Sequence, residues 1–222
     1  MSRHILMIVT SHSRIDDNHE TGIWFEEFAV PYTFFLNKGY SVTVVSPAGG
    51  DAPLDANSLQ DYEATTENER ARAALKNLPA LDDSYQAADY DAVFFPGGHG
   101  TMYDLPDNKH VQRLIADMLA ADKPVAAVCH GPACLVNVII DGKPLVQGRK
   151  VTCFTDSEEH TVQLDTLMPF LLESRLRELG SEFVPADDWA DNTLVDGKLV
   201  TGQNPQSSGS AAEAVIRLLE DG

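Results

Sequence analysis

The stretch "PVAAVCHGPACLV", residues 124–136, decides how this chain is read. An apolar run of strand length leads into a cysteine and a histidine, and a glycine and a proline follow at once. A run without polar alternation suits a strand buried on both faces, as in a parallel sheet covered by helices. Gly131 permits a tight turn with close backbone approach. Pro132 fits the first turn of an ensuing helix, whose unpaired N–H groups would lower the pKa of a thiol at Cys129. The A-x-C-x-G spacing is that of a nucleophile elbow, a strand-to-helix turn that lifts its central side chain clear of the backbone. A cysteine at a strand end can equally be inert packing, so the surroundings must decide.

Working outward, the same alternation recurs. "HILMIVT" (4–10), "SVTVVSP" (41–47) and "DAVFFPGG" (91–98) read as buried strands. "FEEFAVPYTFFLNKG" (25–39) reads as a helix stopped by Gly39, and "DNKHVQRLIADMLAAD" (107–122) as an amphipathic helix with Val111, Leu114, Ile115, Met118 and Leu119 on one face. After "KVTCF" (150–154), a long helical stretch is expected through "SEEHTVQLDTLMPFLLESRLRELG", kinked or divided at Pro169. "TLVDGKLVTG" (193–202) carries a β-hairpin signal at Asp196-Gly197, a closing helix follows, and "AGGDAPLDANS" (48–58) reads as a surface loop. Alternating β and α with crossover connections gives an α/β fold in one unit over residues 1–222.

Composition narrows the partners. With 34 acidic against 16 basic side chains and a formal charge of −18, the surface repels phosphate backbones and anionic membranes, so neither nucleic acid nor a membrane is an expected partner. No run approaches the roughly 20 apolar residues of a membrane span. The first apolar run is short and reads as a strand, not as a signal peptide. Cys129, Cys134 and Cys153 make an odd count without a CxxC pair, which points to reduced thiols in a cytoplasmic setting and not to a disulfide framework or a thiolate zinc site.

In open α/β sheets, ligands bind beyond the carboxyl ends of the strands. Three such ends carry chemistry: "SHSRIDDNHETGIWFEE" (11–27), "PGGHGTMYD" (96–104) and "CHGPA" (129–133). "PGGHG" lacks dinucleotide-fingerprint spacing, so no NAD site is inferred. His12, Asp16, Asp17, His19 and Glu20 have no supporting helical spacing and read as a solvated loop, so no metal and no other cofactor is expected.

With "SPAGGDAPLD" (46–55), "DAVFFPGGHGTMYDLPD" (91–107), "AAVCHGPACL" (126–135), "CFTDSEE" (153–159) and "LVDGKLVTGQNPQSS" (194–208) in this order, the chain resembles the ThiJ/PfpI superfamily, in its small glyoxalase III-like and chaperone-like branch. The resemblance implies a flavodoxin-like α/β/α sandwich of the class I glutamine amidotransferase type and a homodimer. It implies Cys129 as nucleophile and Glu26 reaching its sulfur, with Glu27 the other candidate. A carboxylate beside a thiolate is mutually destabilising, so one of that pair should hold a proton. It further implies His130 for proton transfer, partnered by Glu159 or, as alternative, Glu158. The oxyanion hole would come from the N–H groups of Gly98 and His130, with Gly97 and His99 as candidates at the substrate. Trp24 is a further candidate there: Trp24 and Trp189 could wall the pocket, although burial in the core is the default for either.

The implied activity is cofactor-independent conversion of methylglyoxal or a related 2-oxoaldehyde to the 2-hydroxy acid, of the D-lactate dehydratase type. A deglycase or amidase using the same cysteine, a holding chaperone and a cysteine redox sensor are the alternatives. Glutamine amidotransfer fits less well, because the histidine adjoins the cysteine instead of lying downstream beside a glutamate.

Overall fold

The computed structural model describes residues 3–60 and 63–221. In chain order the strands are β1 (His4–Ile8), β2 (Ser41–Val45), β3 (Ala92–Phe95), β4 (Val125–Val128), β5 (Ile139–Ile140), β6 (Lys143–Pro144), β7 (Lys150–Val151), β8 (Glu182–Phe183), β9 (Thr193–Asp196) and β10 (Leu199–Gly202). The α-helices are α1 (Phe25–Asn37), α2 (Thr66–Ala74), α3 (Thr101–Asp104), α4 (Lys109–Ala120), α5 (Asp156–Thr161), α6 (Leu172–Glu178) and α7 (Ser208–Glu220).

The central sheet runs β2-β1-β3-β4-β10-β9, parallel except for the β9–β10 pair. That pair is the hairpin legible at Asp196-Gly197, with Leu199 opposite Asp196. Because side chains alternate across a strand, β1 sends Leu6 and Ile8 to one face and Ile5 and Met7 to the other. The first face packs Val93, Phe95, Val125 and Ala127 against Val111, Leu114, Ile115 and Met118 of α4. The second packs Phe94, Ala126, Val128 and Val200 against Phe28 and Phe35 of α1 and Ala211 and Val215 of α7. The result is the α/β/α sandwich, in which each such fully buried large side chain contributes about 1.5–3 kcal/mol of transfer free energy.

Local signals end the helices as expected in two cases. Gly39, at φ +76°, closes α1, its N–H bonding the Leu36 carbonyl. Asn108 caps α4 by accepting from the N–H groups of His110 and Val111.

Two expectations change. The long helix over residues 157–180 is absent: α5 stops at Thr161, Gln163 takes a left-handed φ of +61°, and α6 begins only at Leu172. The break therefore precedes Pro169, and a Thr155–Glu158 capping box defines α5 as a separate short helix. The 48–58 segment is also more than a surface loop, because Ala52 and Asp55 are buried and Ile23 exchanges backbone hydrogen bonds with Pro53 and Asp55. That pairing fixes the 21–24 segment beside the sheet.

Strand order reverses direction between β1 and β3, so the crevice lies at their carboxyl ends and next to β4. Among the described residues no helix is long and apolar enough to cross a membrane.

Candidate active site

The elbow forms where the sequence places it. Cys129 has a φ of +59°, in the left-handed region a side chain rarely adopts. Two neighbours hold it there: its N–H donates to the Gly202 carbonyl at 2.9 Å, and its carbonyl accepts from Phe154 N–H at 2.9 Å. A Cβ on Gly131 would lie 2.3 Å from the Phe95 carbonyl oxygen, which is why the next turn needs glycine. The ensuing helix is only a five-residue 3₁₀ turn, Gly131–Leu135.

That short turn does not lower the Cys129 pKa as expected. Burial, then the charge and hydrogen bond of Glu27, push the thiol up, and the His130 N–H alone acts in the opposite direction.

The carboxyl at the sulfur is Glu27, not Glu26. Glu27 is fully buried; Glu26 sits on the outer side of α1, lining a separate cavity with Asn57, Ser58 and Asn68. Helical spacing explains the choice. Glu27 precedes buried Pro31 by four residues, whereas Glu26 precedes half-buried Val30 by four. Glu27 Oε2 accepts from Gly97 N–H at 2.7 Å, and Oε1 is buried without a hydrogen-bond partner of regular geometry. Burial pushes the Glu27 pKa up to about 8, against a smaller lowering by Cys129 and Gly97. Near neutral pH the Glu27 carboxyl therefore holds a proton, which satisfies the expectation that one of the pair must.

On the other side of the sulfur, His130 Nδ1 lies 3.4 Å from Cys129 Sγ, and His130 Nε2 lies 2.6 Å from Glu159 Oε2. Burial and the neighbouring His99 lower the His130 pKa, favouring the neutral ring, while Glu159 pulls the other way. Burial would raise Glu159, yet the charges and hydrogen bonds of His130 and His99 hold it well below the usual carboxylate range. An ionised Glu159 can only accept, so Nε2 of His130 carries the proton and Nδ1 presents its lone pair to the thiol.

Glu159, not Glu158, is thus the partner. Glu158 is buried elsewhere, accepting from Thr155, Trp189, Gln203 and Asn204. His99 Nε2 lies 2.7 Å from the other Glu159 oxygen, Oε1, and the two imidazole centroids are 4.1 Å apart.

The cavity over the sulfur has about 60 Å³ of free space and is walled by Trp24, Gly98, His99, Phe154, Val162 and Trp189, among others. Larger cavities, such as the groove of about 450 Å³ between α1 and α7, are lined by no cysteine. Gly98 takes a φ of +101°, and a Cβ there would meet the Gly22 carbonyl oxygen at 2.2 Å. The single O–H of Thr101 is shared between the carbonyls of Gly98 and His130, at 2.8 and 3.0 Å, tying together the two loops whose N–H groups were expected to form the oxyanion hole. Gly97 does not border the cavity: its N–H is occupied by Glu27, behind the sulfur.

Among the described residues, His99, His130 and Glu159 form the one group spaced to hold a metal ion, with ligand atoms within 4.8 Å of one another. Glu159 already accepts from both rings, so an ion would have to break both hydrogen bonds. The residues of "HSRIDDNHE" do not gather. Asp16 bonds His19, Arg14 faces Asp17 and Glu20, and His12 stacks on Tyr103.

Phe154, a residue without a motif role in the sequence, packs with its ring centroid 4.6 Å from that of His130 and 5.6 Å from that of Trp189. Its signal was its position two residues before Asp156, at the entry to the helix carrying Glu159.

A left-handed cysteine beyond a parallel strand, with a carboxylate-oriented histidine at its sulfur, is an arrangement on which cysteine-nucleophile chemistry can be built in an α/β fold. The chain belongs to the DJ-1/PfpI family, which it matches over residues 21–218. It is 32% identical to glyoxalase 3 of Candida albicans, over 97% of this chain and 98% of that one. To a glutathione-independent glyoxalase of Schizosaccharomyces pombe it is 34% identical, covering 91% and 89%. The crystal structure of glyoxalase III from Candida albicans superposes with a TM-score of 0.90 at 30% identity, covering 99% of this chain and 98% of that one.

Proposed function

We propose that this protein is a glutathione-independent glyoxalase, converting methylglyoxal or a similarly small 2-oxoaldehyde to the 2-hydroxy acid on Cys129. The observation that carries the reading is the alignment of Cys129 Sγ, His130 Nδ1, His130 Nε2 and Glu159 at 3.4 and 2.6 Å. The small cavity with largely apolar walls and the nearly full-length likeness to proteins named for this activity support it.

In the first step, His130 Nδ1 takes the thiol proton as sulfur attacks the aldehyde carbon C1. The S–C1 bond forms and the carbonyl π pair moves to O1, which receives the proton from His130. The N–H groups of Gly98 and His130 are the donors for the charge developing on O1. Glu27, holding its own proton, donates to the sulfur and avoids placing a second negative charge beside it.

His130 next removes the C1 hydrogen as a proton. The freed pair makes C1=C2, and the ketone π pair moves to O2, giving an enediolate. Returning that proton to C2 while O1 becomes a carbonyl leaves a thioester, which water cleaves to the hydroxy acid and Cys129 thiol. C1 is oxidised and C2 reduced within one molecule, so no external electron carrier enters the balance. The remaining parts of the proposal are a homodimer and a cytoplasmic setting.

Proton NMR of methylglyoxal turnover in D₂O without glutathione tests the reading. A single lactate enantiomer is expected, and disappearance of methylglyoxal without lactate would refute it.

A further inference from the structure

The isomerisation moves two protons. One passes from C1 to C2, and the other must leave O1 and reach O2. His130 holds the carbon proton through this stage, and Cys129 is bonded to substrate. Among the residues lining the cavity, the only other titratable side chain is His99.

His99 is placed for that duty by its own contacts. It follows Gly98 in the β3–α3 turn, and its side chain is 9% exposed, against 1% for His130. Its Nε2 is bound to Glu159 Oε1 at 2.7 Å. The ionised carboxylate therefore fixes the Nε2–H tautomer in both rings, leaving a lone pair on each Nδ1. With the rings 4.1 Å apart and tilted by 41°, Glu159 couples them into one unit.

Resting on the glyoxalase reading, we propose that His99 is a second catalytic acid–base residue, with Nδ1 taking the proton from O1 and delivering it to O2 while His130 serves sulfur and carbon. When O1–H breaks, its pair becomes the C1=O1 π bond of the thioester. The O2–H bond forms from the enediolate lone pair, and His99 ends in its starting state.

The test is His99→Gln, which keeps an N–H donor for Glu159 but no titrating nitrogen. In the full-length variant, kcat for lactate formation should fall by about 100-fold or more, with KM changing by less than about threefold. Cys129 alkylation by iodoacetamide should stay within about threefold of the parent, because thiol activation belongs to His130. A kcat within about threefold of the parent overturns the proposal. So does a parallel loss of alkylation and turnover, which would make His99 a residue that only positions His130. If His99→Gln does not fold, His99→Asn carries the same measurements. Absence of lactate from the parent protein would instead overturn the glyoxalase reading itself.

Discussion

Replacing Glu27 with glutamine should make the protein's stability less dependent on pH. In the unfolded chain this carboxyl titrates at its ordinary value of 4.5; in the folded protein it titrates at about 8, because burial disfavours the charged form. Between those values the folded state holds a proton that the unfolded state has lost, so stability falls as pH rises, and above about 8 the loss is complete. At about 1.36 kcal/mol per pH unit, the whole shift corresponds to about 5 kcal/mol. The span from about pH 5.5 to 7.5 accounts for about 3 kcal/mol of it.

The amide that Glu27→Gln introduces can accept from Gly97 N–H and offers an N–H donor beside the sulfur, but cannot ionise. Urea unfolding of parent and variant at both pH values reads the difference directly. The variant should gain about 3 kcal/mol relative to the parent over that span. A relative stability unchanged within about 0.5 kcal/mol would refute the assignment of a buried, protonated Glu27. Turnover of the parent is expected to fall as pH rises through about 8, where an anion appears beside the sulfur, and the same substitution should flatten that fall.

Glu26→Gln should change kcat by less than about twofold, because that side chain lines a different cavity; a larger loss measured by lactate formation would return Glu26 to the mechanism. Glu159→Gln should lower kcat by about 10²–10⁴-fold through loss of the His130 tautomer. Glu159 is held below its unfolded value, so its contribution to stability is present above that value and lost in acid. The unfolding curves of parent and variant should therefore converge as pH falls. Trp189→Ala should raise kcat/KM for phenylglyoxal relative to methylglyoxal, since Trp189 is a 38%-exposed wall of the cavity; an unchanged ratio would remove it from substrate selection.

The sheet was legible because its strands are apolar on consecutive residues, and the hairpin because Asp196-Gly197 admits a tight turn. The division of residues 157–180 was not: apolar spacing there suits a helix, and only the left-handed Gln163 reveals that the chain turns. Cys129, His130 and Glu159 were legible from motif order. The Glu26–Glu27 ambiguity needed the helix phase, since adjacent residues lie about 100° apart and only one can face the sheet. The Cys129 pKa was misread because a helix N-terminus was weighed without the burial that accompanies it. His99 joins Glu159 across 60 residues of sequence, a pairing set by how β3 and α5 meet and by no local pattern.

Lactate formation from methylglyoxal by reduced, chelator-treated protein, without glutathione and beside Cys129→Ser, tests the central claim most directly. The account predicts stoichiometric lactate from the parent at an efficiency of about 10⁴ M⁻¹s⁻¹ or more, and none above background from the variant. Lactate formation by Cys129→Ser at a rate similar to the parent would contradict it.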